Sequence, residues 1–198
     1  MNLARLLGVV GVCVAVMVGD AVAADPAGPP KLGVDRDGLP IEITDFEGVQ
    51  SALFRDGRIF LAGQPTEDAF ARFKELGVTA VVNLRTPREM ENRERIPFDE
   101  PAVIEKLGME YVFIPLGGDD HPYSPAAVTR FAEVLEKHDG PVLLHCTVAW
   151  RASYMWAAYL VVEHGWALDD AMARGEAVAI SPPPIEGLLG KPLKLAFE

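Results

Sequence analysis

Between Pro141 and Gly165 the chain passes from an unbroken apolar run, Val142-Leu143-Leu144, through His145 and Cys146 into the short segment Thr147 to Trp150, and then into a largely apolar stretch, Arg151 to His164. An apolar run without polar alternation reads as a strand covered on both faces, and the longer stretch, stopped by Gly165, reads as a helix. A strand that turns tightly into a helix is the unit of an α/β protein. The pattern recurs upstream. Thr66 caps a helix with Phe70 and Phe73 on one face and Gly77 past its end, and a strand follows at Val78 to Leu84. Pro101 to Leu107 predicts a short helix stopped by Gly108, then a strand at Tyr111 to Leu116. Ser124-Pro125 opens a helix with Val128, Phe131, Val134 and Leu135 at helical spacing. Leu53-Phe54 and Ile59 to Ala62 flank Arg55-Asp56-Gly57-Arg58 as a hairpin, and Leu168 to Arg174 predicts a last helix closed by Gly175. This alternation predicts a central, mostly parallel sheet flanked by helices, with ligands beyond the carboxyl ends of the strands.

The ends of the chain read differently. Residues 1–23 combine Arg5, the apolar run Leu6 to Gly19 and the small-residue pattern Ala21-Val22-Ala23, which is the form of a secretory signal cleaved at about Ala23 or Ala24. The apolar run, ended by Asp20, falls short of the roughly 17 to 25 residues a spanning helix needs. The expectation is a periplasmic or secreted protein with no stable membrane insertion after cleavage. Residues 24–45, rich in Pro, Gly and charge, are expected to form an extended linker; 46–180 form the domain; 181–198, opening on Ser181-Pro182-Pro183-Pro184, form an extended tail. The signal carries one positive and one negative charge, Arg5 and Asp20, so the remainder keeps the net charge of −11. Such a surface excludes nucleic acid as a partner. The signal also carries Cys13, and the thiol that remains, Cys146, cannot close an internal disulfide alone.

Cys146 is therefore either a buried filler or a reactive group. At the junction of strand and helix it meets a helix N-terminus, whose free N–H groups and positive dipole end stabilise a thiolate. The same donors, from Thr147, Val148, Ala149 and Trp150, can ring a phosphate. Arg151, in the first helical turn, adds a planar fork for two oxyanions, and a cation at that helix end is unfavourable unless an anion sits there. If Cys146 is reactive, the chemistry these residues suit is phosphomonoester hydrolysis, in which cysteine attacks phosphorus through a phosphocysteine intermediate and arginine holds the equatorial oxygens; otherwise Cys146 is a core filler and Arg151 an ordinary first-turn charge. The leaving oxygen needs an acid, and Gly117-Gly118-Asp119-Asp120-His121-Pro122 offers two, although the same residues also suit a solvated turn. Asn83 and Arg85 close a predicted strand at the same sheet edge and are candidates to brace the loop or line the pocket. Trp150 either shapes the pocket mouth or packs. The histidines show no ligand spacing, so no metal and no cofactor are expected. The run Arg88 to Arg95 reads as a solvated charged face.

Together, Phe60-Leu61-Ala62-Gly63-Gln64-Pro65-Thr66, Gly77-Val78-Thr79-Ala80-Val81-Val82-Asn83-Leu84-Arg85, Ile114-Pro115-Leu116 and His145-Cys146 with Arg151 resemble the bacterial phosphatase-like proteins related to dual-specificity protein tyrosine phosphatases, a group that includes β-lactamase-hydrolase-like proteins. The resemblance covers about Phe46 to Gly175. It implies a cysteine-phosphatase-like α/β domain with Cys146 as nucleophile, Arg151 as phosphate clamp and Asp120, directly before His121-Pro122, as the acid, with Asp119 as alternate. It also implies that His145 supports the loop and that the substrate is a phosphorylated protein or small molecule. The chain departs from the family in three places. Four residues rather than five separate Cys146 from Arg151; Ala149 stands where glycine is usual; and Ala152 stands where a hydroxyl usually stabilises the thiolate, leaving Thr147 or Ser153 for that task. The short loop also approaches that of rhodanese-like sulfurtransferases. A persulfide-carrying sulfurtransferase and a non-catalytic phosphate-binding or anion-binding module therefore stand as alternatives.

Overall fold

The computed structural model describes residues 32–179 and 185–192. Strands β1 (Ile41–Glu42), β2 (Leu53–Asp56), β3 (Ile59–Ala62), β4 (Ala80–Asn83), β5 (Glu110–Phe113) and β6 (Val142–His145) form one sheet in the order β1-β2-β3-β6-β4-β5. The hairpin and β1 pair antiparallel, whereas β3, β6, β4 and β5 run parallel. All four parallel strands therefore release their carboxyl ends at the same edge. In register, Ala62 lies beside His145, His145 beside Asn83, and Asn83 beside Phe113.

The apolar runs follow from burial on both faces: every position of β3, β4 and β6 is buried. Ile59, Leu61, Val82, Val142 and Leu144 join one core with α4 (Pro125–Lys137), α5 (Trp150–His164), α6 (Leu168–Val178) and α7 (Ile185–Leu189). Their strand neighbours Phe60, Val81 and Leu143 join a second core with α1 (Glu67–Glu75) and α3 (Glu100–Lys106) through Phe70, Phe73 and Ile104. A further short helix, α2 (Pro87–Met90), follows β4. Its capping box is complete: the Thr86 side chain accepts from Glu89 N, and the Glu89 side chain accepts from Thr86 N.

Four sequence expectations change. Gly175 does not close α6, which runs to Val178, because Gly175 sits against α5; a Cβ there would meet Ser153 O at 3.4 Å and Ala157 Cβ at 3.6 Å. The absent side chain serves a close helix crossing rather than a cap. The described part of the lead-in is not merely extended: β1 pairs with β2, and Leu32 is buried in the larger core. The described part of the tail contains α7, whose Ile185 and Leu188 are buried. Lastly, the run Arg88 to Arg95 is not all solvated: the Glu89 carboxylate turns inward to Arg151. Residues 1–31, which include the predicted signal, and residues 180–184 and 193–198 lie outside the described part.

Candidate active site

Cys146 directly follows β6 with 1% of its surface exposed, and its backbone N–H donates to Ala62 O at 3.2 Å. The following loop is stapled to the segment after β3: Gln64 N donates to Thr147 O at 3.1 Å, and Gly63 bridges Val148. A Cβ on Gly63 would lie 1.7 Å from Gln50 O and 3.1 Å from Thr147 O, so only glycine permits this approach. Ala149 takes φ 67°, ψ −8° at the start of α5, the left-handed conformation that the sequence argument associated with glycine. The four-residue spacing thus closes its turn at the cost of an alanine in a region disfavoured by about 1–2 kcal/mol.

Arg151 is fixed by an acid the sequence reading assigned to the solvated face. Its Nη1 donates to Glu89 Oε2 at 2.7 Å and its Nη2 to Glu89 Oε1 at 2.6 Å, a bidentate pair. Nη1 also donates to Leu84 O at 3.2 Å and Leu116 O at 2.9 Å, which ties the guanidinium to the chain beyond β4 and β5. Thr147 Oγ1 donates to Glu89 Oε1 at 2.7 Å and accepts from Arg151 Nη2 at 3.1 Å. Burial opposes ionisation of Glu89, but the hydrogen bonds from Arg151, Thr147 and the Thr86 backbone outweigh it and hold the carboxyl well below the ordinary range. For Arg151, burial likewise opposes the charge, and the bonds to Glu89 and the nearby negative groups raise it further above its ordinary value. Arg85 is pushed down by burial, against the pull of Glu89 and Glu100.

A second network lies beneath the loop. Glu100, 1% exposed, accepts from Gln64 Nε2 at 2.7 Å and Asn83 Nδ2 at 2.8 Å, and pairs with His145 Nε2 at 3.1 Å. Gln64 Oε1 in turn accepts from Arg85 Nη1 at 2.6 Å. Burial would raise the Glu100 carboxyl, but His145, Gln64 and Asn83 bring it below its ordinary value. His145 thus faces a buried carboxylate beneath the loop, and Asn83, fully buried, belongs to the same network rather than to a pocket wall. Among the described residues, His145 Nδ1 has no hydrogen-bond partner.

The remaining predicted residues are placed as follows. Arg85 and Thr147 line a cleft of about 370 Å³ beside the loop, together with Arg88, Glu89, Asn92 and Arg95. Val148 is 41% exposed at the loop tip. Trp150 packs edge-on against Tyr154 with centroids 5.3 Å apart. Ser153 Oγ donates to Trp150 O at 2.7 Å and so turns into its own helix. Asp119 and Asp120 are exposed on the loop after β5. Tyr123, which the sequence did not single out, is half-buried near this site: burial raises its phenol, and the charges of Arg151, Cys146 and Glu89 reach it. Glu89 was legible as part of a Thr-x-x-Glu capping box, although its inward partner was not. Glu100 and Gln64 carry no local signal of their roles.

A family profile described as a DSP-PTPase phosphatase fused to NAD+ kinase matches residues 42–187. The chain belongs to this family. It is 28% identical over 120 residues to a β-lactamase hydrolase-like protein of Xylella fastidiosa, strain Temecula1, an alignment covering 61% of this chain and 27% of that protein. The chain thus spans about a quarter of the length of the curated relatives it matches. Among solved structures it is similar to a provisionally assigned phosphatase of Shewanella putrefaciens CN-32, with 26% identity and a TM-score of 0.56 over 73% of this chain and 92% of that one. PTPMT1, at 21% identity and a TM-score of 0.54, covers 67% of this chain and 87% of its own. Tk-PTP in its active form, at 23% and 0.51, covers 63% and 81%. The fold is that of the cysteine phosphatases, and the domain is phosphatase-like of the dual-specificity type.

Proposed function

We propose that the protein is a cysteine-dependent phosphatase that hydrolyses a phosphomonoester through a phosphocysteine intermediate. One observation carries this reading: Cys146 is buried at the end of β6, at the start of the turn leading into α5, with the Arg151 guanidinium anchored in the first turn of that helix. Cys146 Sγ attacks phosphorus while backbone N–H groups of the loop and the Nε edge of Arg151 hold the equatorial oxygens; the terminal nitrogens are already oriented by Glu89. As the bond to the leaving oxygen breaks, Asp120 gives that oxygen its proton. The Asp120 carboxylate then takes a proton from water, which attacks the phosphocysteine, releases inorganic phosphate and restores the thiolate. The substrate is a phosphorylated protein or small molecule; PTPMT1, of the same fold, has been captured with PI(5)P. The working compartment is the periplasm or the cell exterior, after removal of residues 1–23. Mature protein beginning near Ala24 or Asp25 in a periplasmic extract would support that placement, and retention of Met1 there would overturn it.

A second reading, anion binding without turnover, is favoured by one observation. The hydroxyls of Thr147 and Ser153 are engaged by Glu89 and Trp150 O, so neither is donated to the Cys146 sulfur. Hydrolysis of p-nitrophenyl phosphate separates the two readings. Vanadate-sensitive turnover is expected, abolished in Cys146→Ser and lowered about a hundredfold or more in Asp120→Asn, with the alkaline fall in rate absent from that variant. An active Cys146→Ser protein sinks the phosphocysteine route. Vanadate binding without turnover selects the second reading.

A further inference from the structure

We propose that the cleft beside the Cys146 loop is a subsite for a second anionic group, held by Arg88 and Arg95, so that the substrate is a compact phosphomonoester carrying a second phosphate. The proposal rests on the phosphatase reading and names the substrate class of that site. The cleft wall holds three arginines, Arg85, Arg88 and Arg95, against one carboxylate, Glu89. That carboxylate is already committed to Arg151, Thr147 and the Thr86 backbone. Arg85 is buried and donates to Gln64 and Glu89 O; its Nε has no hydrogen-bond partner among the described residues but lies 3.8 Å from Glu89 Oε1, an ion pair.

Arg88 and Arg95 differ from the other arginines of this region. Both are exposed, and neither guanidinium makes an ion pair or hydrogen bond among the described residues. By contrast, Arg72 donates to Glu47 O and Arg93 to Phe98 O. The chain carries 29 acidic residues against 18 basic ones, so acidic partners are abundant, yet two unpaired guanidinium groups converge on one cleft. Each can take a phosphate through two parallel N–H bonds. Arg95 also borders an adjoining cavity of about 590 Å³, whose wall includes Gln50, Gln64, Pro65 and Phe98 and also the carboxylates Glu67 and Asp68, so that it has room for the uncharged body of a small molecule while the anionic group stays with the arginines. The net charge of −11 disfavours long polyanions.

The shared chemistry is two anionic groups on one small head, either in a soluble metabolite or on a lipid. The soluble arm compares fructose 1,6-bisphosphate with fructose 6-phosphate. The lipid arm uses phosphatidylcholine vesicles carrying phosphatidylinositol 4-phosphate, whose phosphodiester supplies the second anion, against vesicles carrying phosphatidic acid. In the Arg88→Ala/Arg95→Ala variant, the ratio of kcat/KM for the two-anion substrate over its partner is expected to fall about tenfold or more in one arm, and that arm identifies the source. A ratio unmoved within about twofold in both arms, with p-nitrophenyl phosphate still hydrolysed by the parent, overturns the subsite and leaves the phosphatase reading standing. Calorimetric binding of the same probes to Cys146→Ser covers the converse case. Preference for the two-anion probe that vanishes with Arg88→Ala/Arg95→Ala upholds the subsite even if nothing is hydrolysed, and lack of any preference overturns it.

Discussion

The loop from Cys146 to Arg151 is tied on every side: to the segment after β3 through Gln64 N and Gly63, to Glu89 through Thr147 and Arg151, and to the chain beyond β4 and β5 through Leu84 O and Leu116 O. The loop from Gly117 to Pro122 leaves the same sheet edge after β5 and has one internal backbone bond, Gly117 N to His121 O at 2.7 Å. Asp119 and Asp120 on it are exposed, with no side-chain partner among the described residues. On the proposed mechanism the contrast separates two demands. An anion cradle must be preorganised, because its donors act only if they need no rearrangement when charge develops. An acid that must approach a substrate and then admit water gains from a loop that can move.

The largest expected effect sets one substitution against itself in the two regions. Gly63→Ala drives a methyl into Gln50 O and the Thr147 carbonyl, both backbone atoms, and is expected to cost more than about 3 kcal/mol in urea denaturation. Gly118→Ala meets nothing within 4 Å and carries only the strain of its φ of +74°, about 1 kcal/mol. Equal losses would break the comparison. Next, Glu100→Gln removes the carboxylate shared by Gln64, Asn83 and His145 and is expected to cost about 3 kcal/mol, whereas Asp120→Asn should stay within about 0.5 kcal/mol.

Glu89→Gln is expected to cost about 2 kcal/mol near neutrality and to slow turnover by loosening Arg151. Its pH dependence sharpens the assignment. The folded carboxyl lies below its unfolded value of about 4.3, so its stabilisation is fully present above that value and is lost as pH falls through the lower folded one. The stability gap between parent and variant should therefore be constant from neutral pH down to about pH 5 and close only in stronger acid. A gap that closes near neutrality would mean that Glu89 is not the paired group. The smallest effect is at Ala149→Gly. Relief of the left-handed strain opposes the greater freedom of glycine in the unfolded chain and the loss of a buried methyl, so the net change is expected below about 1 kcal/mol by the same denaturation assay.

Local pattern sufficed for β2 to β6 and for the strand-to-helix junction that carries Cys146, but not for β1. The apolar runs of β4 and β6 are uniform because both faces are covered, and Thr66 caps α1 through its own side chain at Ala69 N. The strand, turn and helix around Cys146 lie within a few residues of one another, so adjacent residue types determine them. Boundaries slipped where distant packing intervened, as at Gly175, whose missing side chain admits α5 rather than ending α6. The sequence could also supply Glu89 as a capping residue, Arg85 as a strand end and Ala149 as a departure from glycine. Only the tertiary structure decided that Glu89 grips Arg151 from 62 positions away and that Glu100 lies buried against His145 from 45 positions away. A polar side chain near a parallel sheet edge has several possible partners of the right chemistry, and the choice among them depends on which loops the strand order 3-6-4-5 brings together. Burial then makes that choice binding, because an unpaired polar group there costs more than the partner it lost.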